Sequence, residues 1–301
     1  MAPIHVLLAT YNGAPHLPEQ LASLAAQEGV DWRLLWRDDG SNDGTVAILG
    51  DFAAAHPGRV EELRSPSERL GAGGSFMALL AAAPEGGAYA FMDQDDVWLP
   101  DKLARAAAQL GEGVATVVCT RLTLVTPELA PIGLSPVPDR APCFATLLAH
   151  NIAAGCTMVM DARARGLVLG LPFPQGALHD WWCVLVVTGS GGRLIFDPEP
   201  RILYRQHPGN LVGGASGLRQ RARRALARGA DSFLAPLARH AAALRDAPLT
   251  PEARRTLAEV EGLRAASPLR RLAALRRSGL AHHARGMGLL LRAWVAFSRL
   301  R

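Results

Sequence analysis

FMDQDDVWLP, residues 91–100, sets three carboxylates, Asp93, Asp95 and Asp96, within four positions. They follow the apolar run from Ala88 to Met92, which reads as a short buried strand, and they precede Trp98. Carboxylates this close repel one another unless a cation or hydrogen-bond donors offset them. Two readings follow: the acids hold a cation, or they are turn and cap residues that cluster.

The flanking pattern decides the architecture. IHVLLAT (4–10) is a buried strand ended by Tyr11-Asn12-Gly13. Leu17, Leu21 and Leu24 give residues 15–28 helical spacing, and LLW (34–36) is a second strand. RDDGSNDGT (37–45) is turn chemistry, 46–55 is helical, and 60–63 is a third strand. Gly71-Ala72-Gly73-Gly74 reads as a flexible loop before a helix over 75–83. A helix over 101–110, a strand over 114–119, a Pro-rich loop over 126–142, an apolar run over 157–160, a helix over 180–188 and one strand over 194–204 complete the pattern. Strands alternating with helices predict an α/β fold with a mostly parallel central sheet. Ligands in such sheets bind outside the carboxyl ends of the strands. Three polar loops fall there: Thr10-Tyr11-Asn12, Asp38 to Ser41, and Asp93 to Asp96. Taken alone, Asp39-Gly40 and Asp43-Gly44 are equally well ordinary turn pairs.

In an extended loop Asp93 and Asp95 reach one cation from neighbouring positions while Gln94 points elsewhere. Carboxylates favour hard ions such as Mg²⁺ or Mn²⁺, and Mg²⁺ is commonly held by one or two carboxylates plus substrate phosphates. The spacing therefore suits a diphosphate-bearing substrate. No GxxxxGK[ST] is present and GAGGSF is not G-x-G-x-x-G, which argues against a dinucleotide cofactor.

LPFPQGALHDWW (171–182) places Asp180 beside His179, Trp181 and Trp182. Partly apolar surroundings raise a carboxylate's pKa, which suits a general base; the alternative is a cap for the helix that follows. Trp181 and Trp182 either stack on an acceptor sugar or fill the core. Arg205 and His207 are a late cation and imidazole suited to a diphosphate, or else ordinary loop residues.

The 301 residues are 49% hydrophobic, ample for a sizeable core. The net charge of +5 hides an asymmetry: residues 1–218 carry −8 and residues 219–301 carry +13, with 18 arginines. The four cysteines are widely spaced and form no CxxC pair, so they read as buried apolar groups in a reducing compartment. No run of 18 apolar residues occurs, and MAPIHVLLATYNG reads as a strand rather than a signal peptide. A cytoplasmic location, peripheral on the inner face of the membrane, is the expectation.

TYNG (10–13), RDDGSNDGT (37–45) and MDQDDVWLPDK (92–102) together resemble the family 2 glycosyltransferases. HDWW (179–182) and YRQHPGN (204–210) resemble the subset that includes bacterial rhamnosyltransferases of cell-surface polysaccharide assembly. The resemblance spans roughly residues 3–214. It implies a GT-A type nucleotide-sugar-binding catalytic domain over 1–217 and leaves 218–301 as a basic helical C-terminal region. It also implies a nucleoside-diphospho-sugar donor, inversion at the anomeric carbon, and a glycan or lipid-linked acceptor. The subset points to a deoxythymidine-diphosphate rhamnose donor, with UDP-hexoses next.

By position, the resemblance makes Thr10, Tyr11, Asn12, Asp38, Asp39, Asp93, Gln94 and Arg205 donor-binding. Asp95, Asp93 and His207 become ligands of Mg²⁺ or Mn²⁺, with Asp95 first. Asp180 becomes the general base, although His179 stands where the family often has a glutamate. Trp181 and Trp182 fall on the acceptor side, and Asn151 and Gly155 near the donor sugar. Two rivals remain: a nucleotidyltransferase acting at phosphorus, and a non-catalytic nucleotide-sugar or glycan-binding protein. Residues 218–301 carry Leu269, Leu272, Leu275 and Leu280 among arginines, an amphipathic pattern suited to an anionic membrane or to a protein surface, including a second copy of this chain. Few aromatics interleave the arginines, which argues against nucleic acid. His282 and His283 form an adjacent pair with no third ligand visible in the sequence, so they read as structural or exposed histidines rather than a metal site.

Overall fold

Ile4–Thr10 (β1) is buried along nearly its whole length, as its unbroken apolar run requires of a strand covered on both faces. The computed structural model of the chain describes residues 2–64, 69–111, 113–206, 229–263, 266–283 and 287–297. Pro18 opens Leu17–Ala25 (α1), where a missing N–H costs nothing. Trp32–Asp38 (β2) pairs parallel with β1, bringing Thr10 opposite Asp38. Thr45–Ala55 (α2) stops at His56, the residue before Pro57. Val60–Glu62 (β3) forms one sheet edge.

Gly71–Ala82 (α3) corrects the reading of 71–74 as a loop, because the glycines already belong to the helix. The Asp39 carboxylate accepts from the backbone N–H of Leu70 at 2.8 Å and of Gly71 at 2.9 Å. A side chain 31 residues upstream thus satisfies the helix start, which local propensity does not reveal. Ala88–Met92 (β4) is wholly buried and delivers the acids, as expected.

Val97–Trp98 (β5), Lys102–Ala107 (α4), Thr116–Thr120 (β6), Thr123–Val125 (β7) and Pro131–Leu134 (β8) follow. β8 pairs antiparallel with β7, so the predicted 126–142 loop contains a strand. Next come Phe144–Ala149 (α5), a 3₁₀ turn at Gly155–Thr157, Val159–Asp161 (β9) and Ala162–Leu169 (α6). His179–Gly189 (α7) is buried on almost every side. The single strand expected over 194–204 is two: Arg193–Asp197 (β10) and Ile202–Arg205 (β11), in different sheets. Pro198 and Pro200 between them cannot donate to a ladder.

The main sheet runs β10-β6-β9-β4-β1-β2-β3. Only β9 is antiparallel to its neighbours, so the sheet is mixed though mostly parallel. A smaller sheet runs β5-β11-β7-β8.

The C-terminal helices are Asp231–Ala243 (α8), Pro251–Gly262 (α9), Pro268–Ser278 (α10) and Gly288–Phe297 (α11). Thr250 caps α9, accepting from the Ala253 N–H at 3.2 Å. Gly279, at φ 68°, ends α10 in the left-handed conformation glycine tolerates. Leu244, Leu257, Leu275, Leu280 and Val295 share one apolar core with Phe144, Leu147 and Trp182. The apolar face expected in 218–301 is therefore largely spent on the protein's own core. Residues 218–228 lie outside the described residues. Among the described residues no helix is long and apolar enough to cross a membrane.

Candidate active site

The two N-terminal loops are stitched together at the ends of β1 and β2. Thr10 Oγ1 donates to Asp38 Oδ1 at 3.0 Å, and Asp38 Oδ2 accepts from the Gly40 and Ser41 amides at 3.0 and 2.7 Å. Asn12 sits at φ 50°, a conformation asparagine tolerates better than most residues. Its Oδ1 accepts from the Asn42 N–H at 2.9 Å, and its own N–H donates to Ser41 Oγ at 2.8 Å. Asp39 pairs with buried Arg37 at 2.5 Å. Burial raises the Asp39 pKa, but Arg37 and the Leu70 and Gly71 amides outweigh it and hold the carboxyl below its usual range. Asp38 thus closes the turn that sequence offered as one role for this stretch, and Asp39 adds a helix cap that sequence did not reveal.

Gln94 turns to the first loop. Its Oε1 accepts from the Tyr11 N–H at 2.9 Å and its Nε2 donates to the Tyr11 carbonyl at 3.1 Å. The pairing follows from the unpaired backbone at the end of β1, which the carboxamide completes as a strand would. The approach is close: a Cβ on Gly13 would lie 2.4 Å from Gln94 Oε1.

Asp93 and Asp95 are half-buried, whereas Asp96 is fully buried. Burial raises Asp93 to about 7, with the charges of Asp95 and Asp180 adding to the rise. Burial pushes Asp96 well up, reinforced by Asp93 and Asp95. The Cys156 thiol and the Arg205 backbone N–H, the donors at Asp96, act against that rise without cancelling it. Asp93, Asp96 and Cys156 offer ligand atoms within 4.8 Å of one another. Oxygen donors fit Mg²⁺ or Mn²⁺, while the thiol is too soft for either and its own pKa is driven up by burial. The acids thus fit a hard divalent ion, and Cys156 is a wall of the site. Beneath the loop, buried Lys102 sets its ammonium 3.6 Å from the Trp98 ring centroid, and burial lowers its pKa to about 7.

Asp180 lies in the first turn of α7 and is buried. Burial raises it to about 6; the Trp181 and Gly155 backbone N–H groups and the Asn151 side chain act against that rise. The Trp181 N–H reaches Asp180 Oδ1 at 2.5 Å. Asn151 and Gly155, expected beside the sugar, are thus gathered at Asp180. His179 stacks on Phe76 with centroids 4.2 Å apart and meets Phe91 edge-on at 4.8 Å; burial lowers it to about 3. It is an uncharged packing ring where the family often has an acid.

Three expectations change. Trp182 is fully buried in the core and cannot face an acceptor. Trp181 donates from Nε1 to the Leu147 carbonyl at 2.7 Å and packs edge-on against His240, tying α7 to α5 and α8. Trp181 is thus absorbed by the seam with the C-terminal helices and Trp182 by the core. Arg205 is buried and donates to the Asp95 carbonyl at 2.8 Å, to the Pro127 carbonyl and to Glu19. It braces the acidic loop from behind instead of presenting its guanidinium to a donor. His207 lies outside the described residues.

Sequence reading missed Arg69 and the role of Cys156. Exposed Arg69 lies 4.8 Å from the Tyr11 ring centroid and donates to Tyr11 Oη at 3.2 Å and to the Gly40 carbonyl at 3.1 Å. No local motif marks it; only folding brings it to the first loop. Cys156 carries one signal, its place directly after Gly155.

The sequence profile described as "Glycosyl transferase family 2" matches residues 5–161, just over half of the chain. A dTDP-rhamnosyl transferase of Shigella flexneri, RfbG, is 30% identical over 216 residues, covering 68% of this chain and 73% of its own length. Residues 1–349 of Staphylococcus aureus TarS, solved with UDP-GlcNAc, superpose with a TM-score of 0.63 at 16% identity, covering 95% of this chain and 75% of that one. The mannosyltransferase PcManGT of Pyrobaculum calidifontis, solved with GDP-Man and Mn²⁺, superposes with a TM-score of 0.58 at 21% identity, covering 96% and 78%. The last two establish a shared GT-A fold, and their different sugars and bases show how little that fold says about a donor. With the profile spanning the three loops and RfbG extending the match beyond it, the chain belongs to glycosyl transferase family 2 and is a nucleotide-sugar-dependent glycosyltransferase.

Proposed function

We propose that the chain is an inverting transferase whose general base is Asp180 and whose donor diphosphate is met by the acidic loop. The observation that carries this reading is the turn at Gly155-Cys156: the Gly155 amide meets Asp180, and the Cys156 thiol lies within 4.8 Å of the Asp93 and Asp96 ligand atoms, so the acidic loop and the raised carboxylate adjoin. At pH 7 a carboxyl titrating near 6 is mostly ionised yet more basic than an ordinary aspartate. Asp180 takes the proton of the acceptor hydroxyl as its oxygen bonds to the anomeric carbon. The bond from that carbon to the phosphate oxygen breaks, its electron pair leaves with the nucleoside diphosphate, and configuration inverts. Asn151 and the Gly155 amide hold Asp180 in place. Asp95 and Asp93 are the residues to hold Mg²⁺ or Mn²⁺, which when bound neutralises charge on the diphosphate. Arg205 fixes the carbonyl of Asp95 and so the aim of that loop.

The similarity to RfbG favours a deoxythymidine-diphosphate rhamnose donor, and the site suits a glycan or lipid-linked acceptor. Leu269, Leu289 and Phe297 are exposed beside arginines on α10 and α11, which supports contact with an anionic membrane as the route to a lipid-linked acceptor.

Calorimetry of the chain with nucleoside-diphospho-sugars, with Mg²⁺, with Mn²⁺ and with chelator, tests the reading. Metal-dependent binding of one donor, lost in Asp95→Ala, is the expected result. Folded protein that binds every donor equally with chelator present would overturn the metal assignment. Sedimentation with anionic vesicles but not neutral ones is expected for the C-terminal helices.

A further inference from the structure

His282 and His283 find a third imidazole. His150 ends α5, and its ring centroid lies 4.4 Å from each of theirs. The rings of His282 and His283 stack at 25° with centroids 4.7 Å apart. Neighbouring residues in an extended chain point to opposite faces. Here the path after Gly279 sends both rings to one side, toward α5. Each of the three rings offers a nitrogen, and the three nitrogens lie within 4.8 Å of one another. His282 and His283 are buried and His150 is half-buried.

We propose that His150, His282 and His283 form a transition-metal site, of Zn²⁺ type, that fastens the C-terminal helices to the catalytic domain. Imidazole is a borderline ligand suited to Zn²⁺, Ni²⁺ and Cu²⁺ and poorly suited to the hard ions that carboxylates hold. Zn²⁺ with three histidines and a fourth, open position is an established coordination type. At Zn–N distances of about 2.0–2.1 Å, tetrahedral geometry sets the nitrogens about 3.3 Å apart, so the rings need close by no more than about 1.5 Å. Small ring rotations supply that. Three imidazoles drawn together repel as each takes up a proton, whereas a bound metal holds all three neutral rings at once.

The site joins two regions that sequence presents as separate. His150 belongs to the segment before α7, and the other two lie between α10 and α11. Leu275 and Leu280 already share a core with Phe144 and Leu147 beside this junction, so coordination would lock a contact that packing has made.

The test uses full-length chain without a histidine tag, stripped of metal by chelator and titrated with Co²⁺. One equivalent should give the visible absorption of four- or five-coordinate cobalt, displaced by Zn²⁺, and Zn²⁺ should raise the thermal midpoint. His150→Phe and His282→Phe keep a ring in place and should each lose the band, with Zn²⁺ affinity at least tenfold weaker. Asp95→Ala should keep it. No band in the wild type, or a band kept in both phenylalanine variants of native circular dichroism, would overturn the proposal. Should His150→Phe misfold, His283→Gln serves as the second variant under the same criteria. Sugar transfer is not the readout, so either result leaves the transferase assignment standing.

Discussion

Arg205 Nε donates to the backbone carbonyl of Asp95 at 2.8 Å, across 110 residues of sequence. The other ends of the same guanidinium reach the Pro127 carbonyl and Glu19. One planar fork thus joins the acidic loop, the turn between β7 and β8, and α1.

Arg205→Ala should remove the donors to the Asp95 and Pro127 carbonyls, at about 1 kcal/mol each for these part-buried bonds. Thermal denaturation should show the loss, and donor affinity should fall with it. Arg205→Lys should not rescue either quantity, because an ammonium cannot reproduce the fork. A lysine variant equal to wild type in both would sink the bracing role.

Asp180→Asn should lower turnover by at least about 100-fold while donor binding persists. Turnover within threefold of wild type would remove Asp180 from the mechanism. In the wild type, turnover should fall as pH drops through about 6, where the carboxyl takes up its proton.

Stability should move the other way. A folded pKa of about 6 lies above the ordinary aspartate value of 3.8, so the native state binds the extra proton between those values. Stability from this group is therefore present at low pH and lost as pH rises through 6. Asp180→Asn should recover up to about 3 kcal/mol at pH 7, read by denaturant titration at pH 4.5 and 7.5.

Gly155→Ala would set a methyl 2.6 Å from His179 Nε2 and 3.6 Å from the Asp180 Cβ. The His179 ring is wedged between Phe76 and Phe91 and has little room to yield. A cost of about 1–3 kcal/mol and at least about tenfold lower turnover are expected. Turnover equal to wild type would show that Asp180 tolerates displacement.

Gln94→Glu replaces the donor to the Tyr11 carbonyl with a second acceptor. It should destabilise by about 1 kcal/mol and weaken donor binding, whereas a simple solvent-facing residue would tolerate the exchange. Isothermal titration with the preferred donor separates the two.

Much of this enzyme is legible in its sequence. Unbroken apolar runs such as Ile4–Thr10 and Ala88–Met92 declare buried strands, and the loops that follow them carry the polar chemistry. The acids from Asp93 to Asp96 and the HDWW segment are local patterns, so they are visible without a fold. The positive charge of 219–301 and its helical spacing are equally local.

Partnerships across long stretches of chain were decided by tertiary structure alone. Asp39 became the cap of α3, Gln94 the partner of Tyr11, and Arg205 the brace of Asp95. Trp182 went into the core beneath α5 and α6, and His150 met His282 and His283 because α5 packs against the C-terminal helices α8 and α9. The physical reason is range. Hydrophobic periodicity and turn chemistry act over a few residues and can be read in order. A hydrogen bond, an ion pair or a cluster of ligands depends on which distant segments burial brings within a few ångströms.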